Sequence, residues 1–218
     1  MHKVIAAFGI LLLTCGFYYY KFIPSKSQMP VSVTASASTR SISNRTAYKP
    51  TTAQLHSIKR ILVKNHYNKT LVFLIDLKLA SSTNRFFVYD LEKECIIDAG
   101  LVAHGRCGEK YLEGRKYSNE PGSMCTALGN YKIGKPYYGR FGLAYTLYGL
   151  DSTNSKALER HVVLHSYECV PEAEVDYEIC QSDGCPMVSR GFLKRLQKII
   201  DQSKEPLLLS VYESDKEQ

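Results

Sequence analysis

Cys185 and His165 are the two side chains whose types and surroundings could carry covalent chemistry. Within residues 160–188 (RHVVLHSYECVPEAEVDYEICQSDGCPMV) an apolar stretch, Val162–Leu164, ends on His165. Twenty residues later Ser182-Asp183-Gly184-Cys185-Pro186 lies between a polar loop and a helical pattern. A thiol placed just before a helix start is favoured as thiolate by the peptide dipoles and free N–H groups there. Gly184 lets the backbone approach a carbonyl closely, so neighbouring amides can hold an oxyanion. A histidine at a strand end, across a loop, can serve such a thiol as general base. The same residues also suit a buried or disulfide-bonded Cys185 with an unrelated histidine nearby. A zinc site would have to recruit this same Cys and His, because residues 101–218 hold three histidines in all. No metal and no cofactor are therefore expected.

Positioning these groups requires a strand under His165 and a helix after Cys185. Short apolar runs supply the strands: Leu71–Leu79, Arg85–Leu91, Cys95–Ala103, Leu143–Leu150, His161–Ser166 and Leu207–Tyr212. Polar turns separate the first three, and no long helix intervenes, so parallel βαβ units are disfavoured. Helical spacing covers Thr51–Asn68 (Leu55, Ile58, Leu62) and Phe192–Ile200, the second capped by Ser189. Residues 104–142 hold ten glycines and prolines and many tyrosines, and read as functional loops around short strands. The expected class is mainly β: a β-sandwich with an N-terminal helix and a helix after the cysteine.

Charge divides the chain. Residues 1–75 carry ten Lys/Arg and no acid, whereas the remainder carries 18 basic against 21 acidic residues, a net of −3. The total of +7 thus belongs to the N-terminal part, and a slightly acidic domain argues against nucleic acid as partner. Part of that N-terminus is an uncharged run, Val4–Tyr20, which reads as an export segment: an uncleaved membrane anchor first, with a cleaved signal or a lipoprotein site at Cys15 as alternatives. The organisation expected is a signal or anchor over 1–23, a Ser/Thr-rich flexible tether over 24–50 and a catalytic domain over 51–218. Seven cysteines in an exported chain invite disulfides. Sequence does not choose the pairs; Cys107–Cys125 and Cys169–Cys180 each flank a loop beside the site, and Cys95 would then remain a free, buried thiol.

The chain resembles the L,D-transpeptidase (YkuD-type) catalytic domain. That family carries a strand-borne histidine and a Ser/Thr-x-Gly-Cys motif, matched by His165 and by Ser182, Gly184 and Cys185. A second motif, Thr-Pro-x-Gly-x-Tyr/Phe-x-Ile, is approximated by residues 126–133 (TALGNYKI), which places Gly129 and Tyr131 among the site residues. The murein L,D-transpeptidase branch is resembled more closely through His104-Gly105-Arg106, Ser118-Asn119, Pro121-Gly122-Ser123, Tyr138-Gly139, Gly142-Leu143 and Gly184-Cys185-Pro186. Asp183 stands where the family usually has His, and Ala127 where the motif has Pro. Pro186-Met187 replaces an apolar-Arg pair whose arginine would position a substrate carboxylate. His104 and Arg106 are the expected substitutes for that arginine.

The resemblance implies a thioester mechanism on peptidoglycan stem peptides. Cys185 attacks the carbonyl between diaminopimelate and D-Ala, His165 takes the thiol proton, and the acyl group passes to an amine or to water. Ser182 is expected to orient His165 or the loop, with the oxyanion near Gly184. An L,D-carboxypeptidase or endopeptidase of the same fold, and an inactive wall-binding module, are the alternatives. The protein would work on the outer side of the cell membrane, held there by its N-terminal segment.

Overall fold

The computed structural model describes residues 48–214; the Val4–Tyr20 run and the tether as far as residue 47 lie outside the described residues. The first element, α1 (Thr52–Lys64), starts where expected. Thr51 and Gln54 form a capping box, the Gln54 amide donating to Thr51 Oγ1 at 3.3 Å and the Thr51 amide to Gln54 Oε1 at 2.8 Å.

The strands follow as β1 (Leu71–Asp76), β2 (Phe86–Asp90), β3 (Cys95–Gly100), β4 (Val102–Ala103), β5 (Gly129–Gly139), β6 (Gly142–Gly149), β7 (Val163–Ser166), β8 (Met187–Val188) and β9 (Leu208–Tyr212). A second helix, α2 (Arg190–Gln202), joins β8 to β9. All nine strands belong to one sheet in the order β3-β2-β1-β9-β5-β6-β7-β8-β4. Only the β1–β9 and β7–β8 pairs are parallel.

Alternation along β1 divides the interior. Val72 and Leu74 face a cluster with Ile58 and Leu62 of α1, while Phe73 and Ile75 face a larger core. That larger core also takes Tyr145 and Leu147 of β6, Leu164 of β7, and Phe192 and Leu196 of α2. Each such side chain, when fully buried, contributes about 1.5–3 kcal/mol. The Phe192 ring meets Phe86 edge-on at 5.2 Å. The two helices thus lie on opposite faces of β1–β2. Neither connects neighbouring parallel strands, so the sheet is not doubly wound.

The expected β-sandwich is built from a single sheet. Its two end strands, β3 and β4, are separated in the chain by Leu101 alone. The sheet must therefore curl until its ends meet, enclosing the larger core. Cys95–Ala103, expected as one strand, breaks at that residue. The loop region 104–142 also departs from expectation, because it holds the 11-residue β5. The outer half of the β5–β6 hairpin is exposed and projects from the sheet.

Candidate active site

The parallel pairing of β7 with β8 assembles the site. His165 lies opposite Met187 and Ser166 opposite Val188, which brings the residues before β8 back beside the start of β7. There the Val163 amide donates to Cys185 Sγ at 3.4 Å, and the Cys185 thiol reaches the His161 carbonyl oxygen at 3.8 Å. The intervening loop is stapled by a Cys169–Cys180 disulfide with a Cα–Cα separation of 6.1 Å.

His165 is 2% exposed. Its ring stacks on Phe141 from the tip of the β5–β6 hairpin, centroids 4.5 Å apart. Its Nδ1 lies 3.1 Å from the Ser166 carbonyl oxygen. A carbonyl only accepts, so the proton sits on Nδ1 and Nε2 keeps its lone pair. Burial lowers the pKa of this ring, and the Ser166 carbonyl opposes the shift.

Cys185 has a free thiol. Burial raises its pKa, against the opposing effects of the Val163 amide and the Arg160 guanidinium. Among the described residues no hydrogen bond joins this thiol to the His165 ring. The resting pair is thus neutral thiol and neutral imidazole.

The helix-dipole expectation needs correction. Cys185 is separated from α2 by β8, and the α2 N-terminus is already satisfied. Ser189 Oγ accepts from the Phe192 amide at 3.2 Å, and Glu172 accepts from the Gly191 amide at 2.7 Å and from Ser189 Oγ at 2.6 Å. A carboxylate therefore occupies the positive end of the helix.

Ser182 makes its bonds within the loops. Its amide donates to the His104 carbonyl at 2.8 Å, its carbonyl accepts from the Arg106 amide at 2.9 Å, and its Oγ accepts from the Gly184 amide at 3.1 Å. It shapes the turn that presents Cys185. Gly184 is required in that turn: its φ is +112°, and a Cβ would sit 2.8 Å from the Cys125 carbonyl oxygen. That oxygen also accepts from Arg160, whose Nη1 donates to the Ser118 carbonyl at 2.8 Å. Arg160 so ties the 118–125 loop beside Cys185, and a Cys107–Cys125 disulfide anchors the same loop, Cα–Cα 4.2 Å. Sequence reading missed Arg160, although it lies three residues before the strand carrying His165.

The other sequence-predicted residues are distributed around this centre. Arg106 donates through Nε to Asp183 at 2.7 Å, so its charge braces the cysteine loop. His104 is 1% exposed, and its Nδ1 accepts from Arg85 at 3.0 Å. Burial, then Arg85 and Arg115, push its pKa down to about 3. It is a neutral wedge inside the wall. Gly129 opens β5 with φ +127°, where a Cβ would collide with the side chains of Asp151, Thr153 and Asn154. Tyr131 is buried, its hydroxyl donating to the Ala127 carbonyl at 2.6 Å. These last two support the sheet from within. Cys95 is free as expected but exposed, because it begins β3 at the outer end of the sheet.

Comparison with known families adds the deciding observation. Residues 42–212 match the family model of the L,D-transpeptidase catalytic domain. The chain belongs to that family. Among solved structures, it is similar to the L,D-transpeptidase of Xylanimonas cellulosilytica, with 13% identity, 68% of this chain and 63% of that chain covered, and a TM-score of 0.39. It is also similar to the helical cell shape determining protein Pgp2 of Campylobacter jejuni, with 15% identity, 67% and 49% coverage, and a TM-score of 0.42. The chain thus spans less than two thirds of either structure. No curated protein matches it.

Proposed function

We propose that this protein is a cysteine-dependent peptidoglycan L,D-transpeptidase that works outside the cytoplasm, held by its N-terminal segment. The observation that carries the reading is a free Cys185 thiol held against the start of β7, the strand that carries a tautomer-fixed His165. His165 Nε2 has its lone pair available, and Cys185 lies in the turn that leads into β8, the strand paired with β7.

The steps follow from these groups. With a tetrapeptide stem bound, His165 Nε2 takes the Cys185 proton as Sγ attacks the carbonyl between diaminopimelate and D-Ala. The Gly184 amide is engaged by Ser182, which leaves the Cys185 amide as the nearby backbone donor for the oxyanion. The C–N bond breaks, D-Ala departs with the proton from His165, and a thioester remains. An acceptor amine then gives a proton to His165 and forms the new amide as the C–S bond breaks. Water in place of the amine would release a tripeptide.

Incubation of the purified protein with tetrapeptide muropeptides, followed by mass spectrometry, tests this. Cross-linked dimers with loss of D-Ala are expected. Tripeptides alone would make the protein a carboxypeptidase, and unchanged muropeptides would make it a binding module.

A further inference from the structure

The outer face of α1 is cationic, and the helix contains no acid. His56, Lys59, Arg60, Val63 and Lys64 recur at helical spacing on the side away from buried Ile58 and Leu62, and all five are exposed. The asymmetry extends beyond the helix, because residues 1–75 contain no Asp or Glu. Lys59 lies 3.9 Å from Glu94, whereas Arg60 and Lys64 have no carboxylate at ion-pair distance among the described residues. Val63, 80% exposed, sits among these cations. Tyr48, the first described residue, stacks on Phe87 with ring centroids 4.1 Å apart, and its hydroxyl donates to Asp76 at 3.1 Å. Phe87 belongs to the cluster that also holds Ile58 and Leu62. The N-terminal part of the chain, with its Val4–Tyr20 run, therefore joins the domain beside α1.

We propose that this face of α1 docks on an anionic lipid surface. The inference takes from the reading above that the N-terminal segment is held in a membrane; it does not depend on the chemistry at Cys185. About 30 residues separate Tyr20 from Thr51, so even at full stretch α1 stays within roughly 100 Å of the bilayer. Such confinement raises the effective concentration of the surface, and a weak contact then suffices. Each Lys or Arg beside an anionic leaflet favours the docked state about fivefold. Three cations on one face thus reach on the order of a hundredfold. Val63 distinguishes a bilayer from a hydrated polyanion. An apolar side chain among cations gains by leaving water at the headgroup boundary, and gains nothing from a soluble acidic polymer. Docking through α1 does not use the strands of the site. The helix packs on β1, β2 and β9, whereas His165 is on β7 and Cys185 in the turn before β8.

The test uses the full-length protein reconstituted in vesicles of phosphatidylcholine alone, or of phosphatidylglycerol and phosphatidylcholine in equal parts. An uncharged, water-soluble amine-acetylating reagent and mass spectrometry report the reaction rate at each lysine. Lys59 and Lys64 should react about fivefold or more slowly on the anionic vesicles, and the difference should vanish at high ionic strength. Lys194, on the helix packed against the opposite face of β1–β2, should react equally on both. In an Arg60→Glu/Lys64→Glu variant with unchanged circular dichroism, Lys59 should react alike on the two vesicles. Val63→Ser, a change at the surface, should weaken the protection of Lys64. Equal Lys64 rates on the two vesicles would overturn the proposal, as would Lys59 protection that survives the charge reversals. Protection that instead follows an added soluble acidic wall polymer, and is indifferent to Val63→Ser, would also overturn it and assign the face to that polymer. Release of the protein from the vesicles by alkaline carbonate would overturn the anchor reading alone, and the lysine rates with the same vesicles added to the released protein would then decide the face.

Discussion

The Val163 amide donates to Cys185 Sγ at 3.4 Å, so the strand that carries His165 also holds the Cys185 thiol. Three residues along the same strand, the backbone of Ser166 fixes the imidazole. Main-chain groups of β7 therefore set both partners, which makes their relative placement a property of the sheet rather than of flexible side chains.

Cys185 and His165 should behave as one unit under substitution. Cys185→Ala is expected to abolish turnover, and His165→Gln to cost nearly as much, with the double variant no worse than the first. Circular dichroism should show both folded. Turnover retained by Cys185→Ala, measured with the muropeptide assay, would remove the thiol from the mechanism.

The resting charge state predicts a pH profile. His165 must be neutral to take the proton, and burial lowers its pKa, so the acid limb of kcat/KM should lie below the ordinary histidine value of about 6.5. The Cys185 thiol is shifted the other way. In a Cys95→Ser background, which removes the exposed competing thiol, the rate of iodoacetamide labelling should still be climbing above pH 9. A labelling rate that levels off near pH 6–7 would mean a preformed thiolate–imidazolium pair.

Arg160 is a positioning residue with an electrostatic signature. Arg160→Met removes its bonds to the Ser118 and Cys125 carbonyls and the nearby positive charge. Stability should fall by about 1–3 kcal/mol in urea unfolding. The labelling profile of Cys185 should move to still higher pH, because the guanidinium lowers the thiol pKa. Arg160→Lys should restore part of that profile. A structural role alone would leave the profile where it is.

His104 predicts how acid acts on the fold. Its pKa is pushed to about 3 in the folded state, below the ordinary value near 6.5. Between these pH values the unfolded chain binds a proton that the folded chain refuses. Stability should therefore fall as pH drops through that window, by ~1.4 kcal/mol per pH unit at most for one proton. His165 contributes with the same sign. Urea unfolding from pH 7 to pH 4 should show a shallower decline in His104→Gln.

Elements governed by local chemistry were legible in the sequence. The Thr51 and Ser189 caps mark both helices, and short apolar runs mark β1, β2 and β9. The strand β5 was hidden because Gly129, Gly134, Pro136 and Gly139 interrupt its pattern. Its register shifts between Ile133 and Pro136, where a residue without an amide proton cannot join the ladder. At the site, the Ser182-Asp183-Gly184-Cys185 turn could be named because its motif is contiguous, and His165 because it ends an apolar run. Arg160, Phe141 and the Ser166 carbonyl could not, because they act through the pairing of distant segments. The same holds for the two-residue β8, too short for any periodicity, and for the burial of His104.

The single residue between β3 and β4 bears on the order in which the fold is completed. Leu101 links the two ends of the sheet order, and β8 is held between β7 and β4. The pairing of Val102 with Val188 spans a large stretch of the chain, so its loop-closure entropy must be met before the ring of strands can shut. Short-range hairpins such as β1–β2 and β5–β6 can form early, whereas the turn bearing Cys185 acquires its shape only on closure. The shaping of that turn is therefore expected to come late in folding. In a refolding experiment, recovery of secondary structure should precede recovery of turnover, and a nascent chain would carry its nucleophile unassembled until the last strands dock.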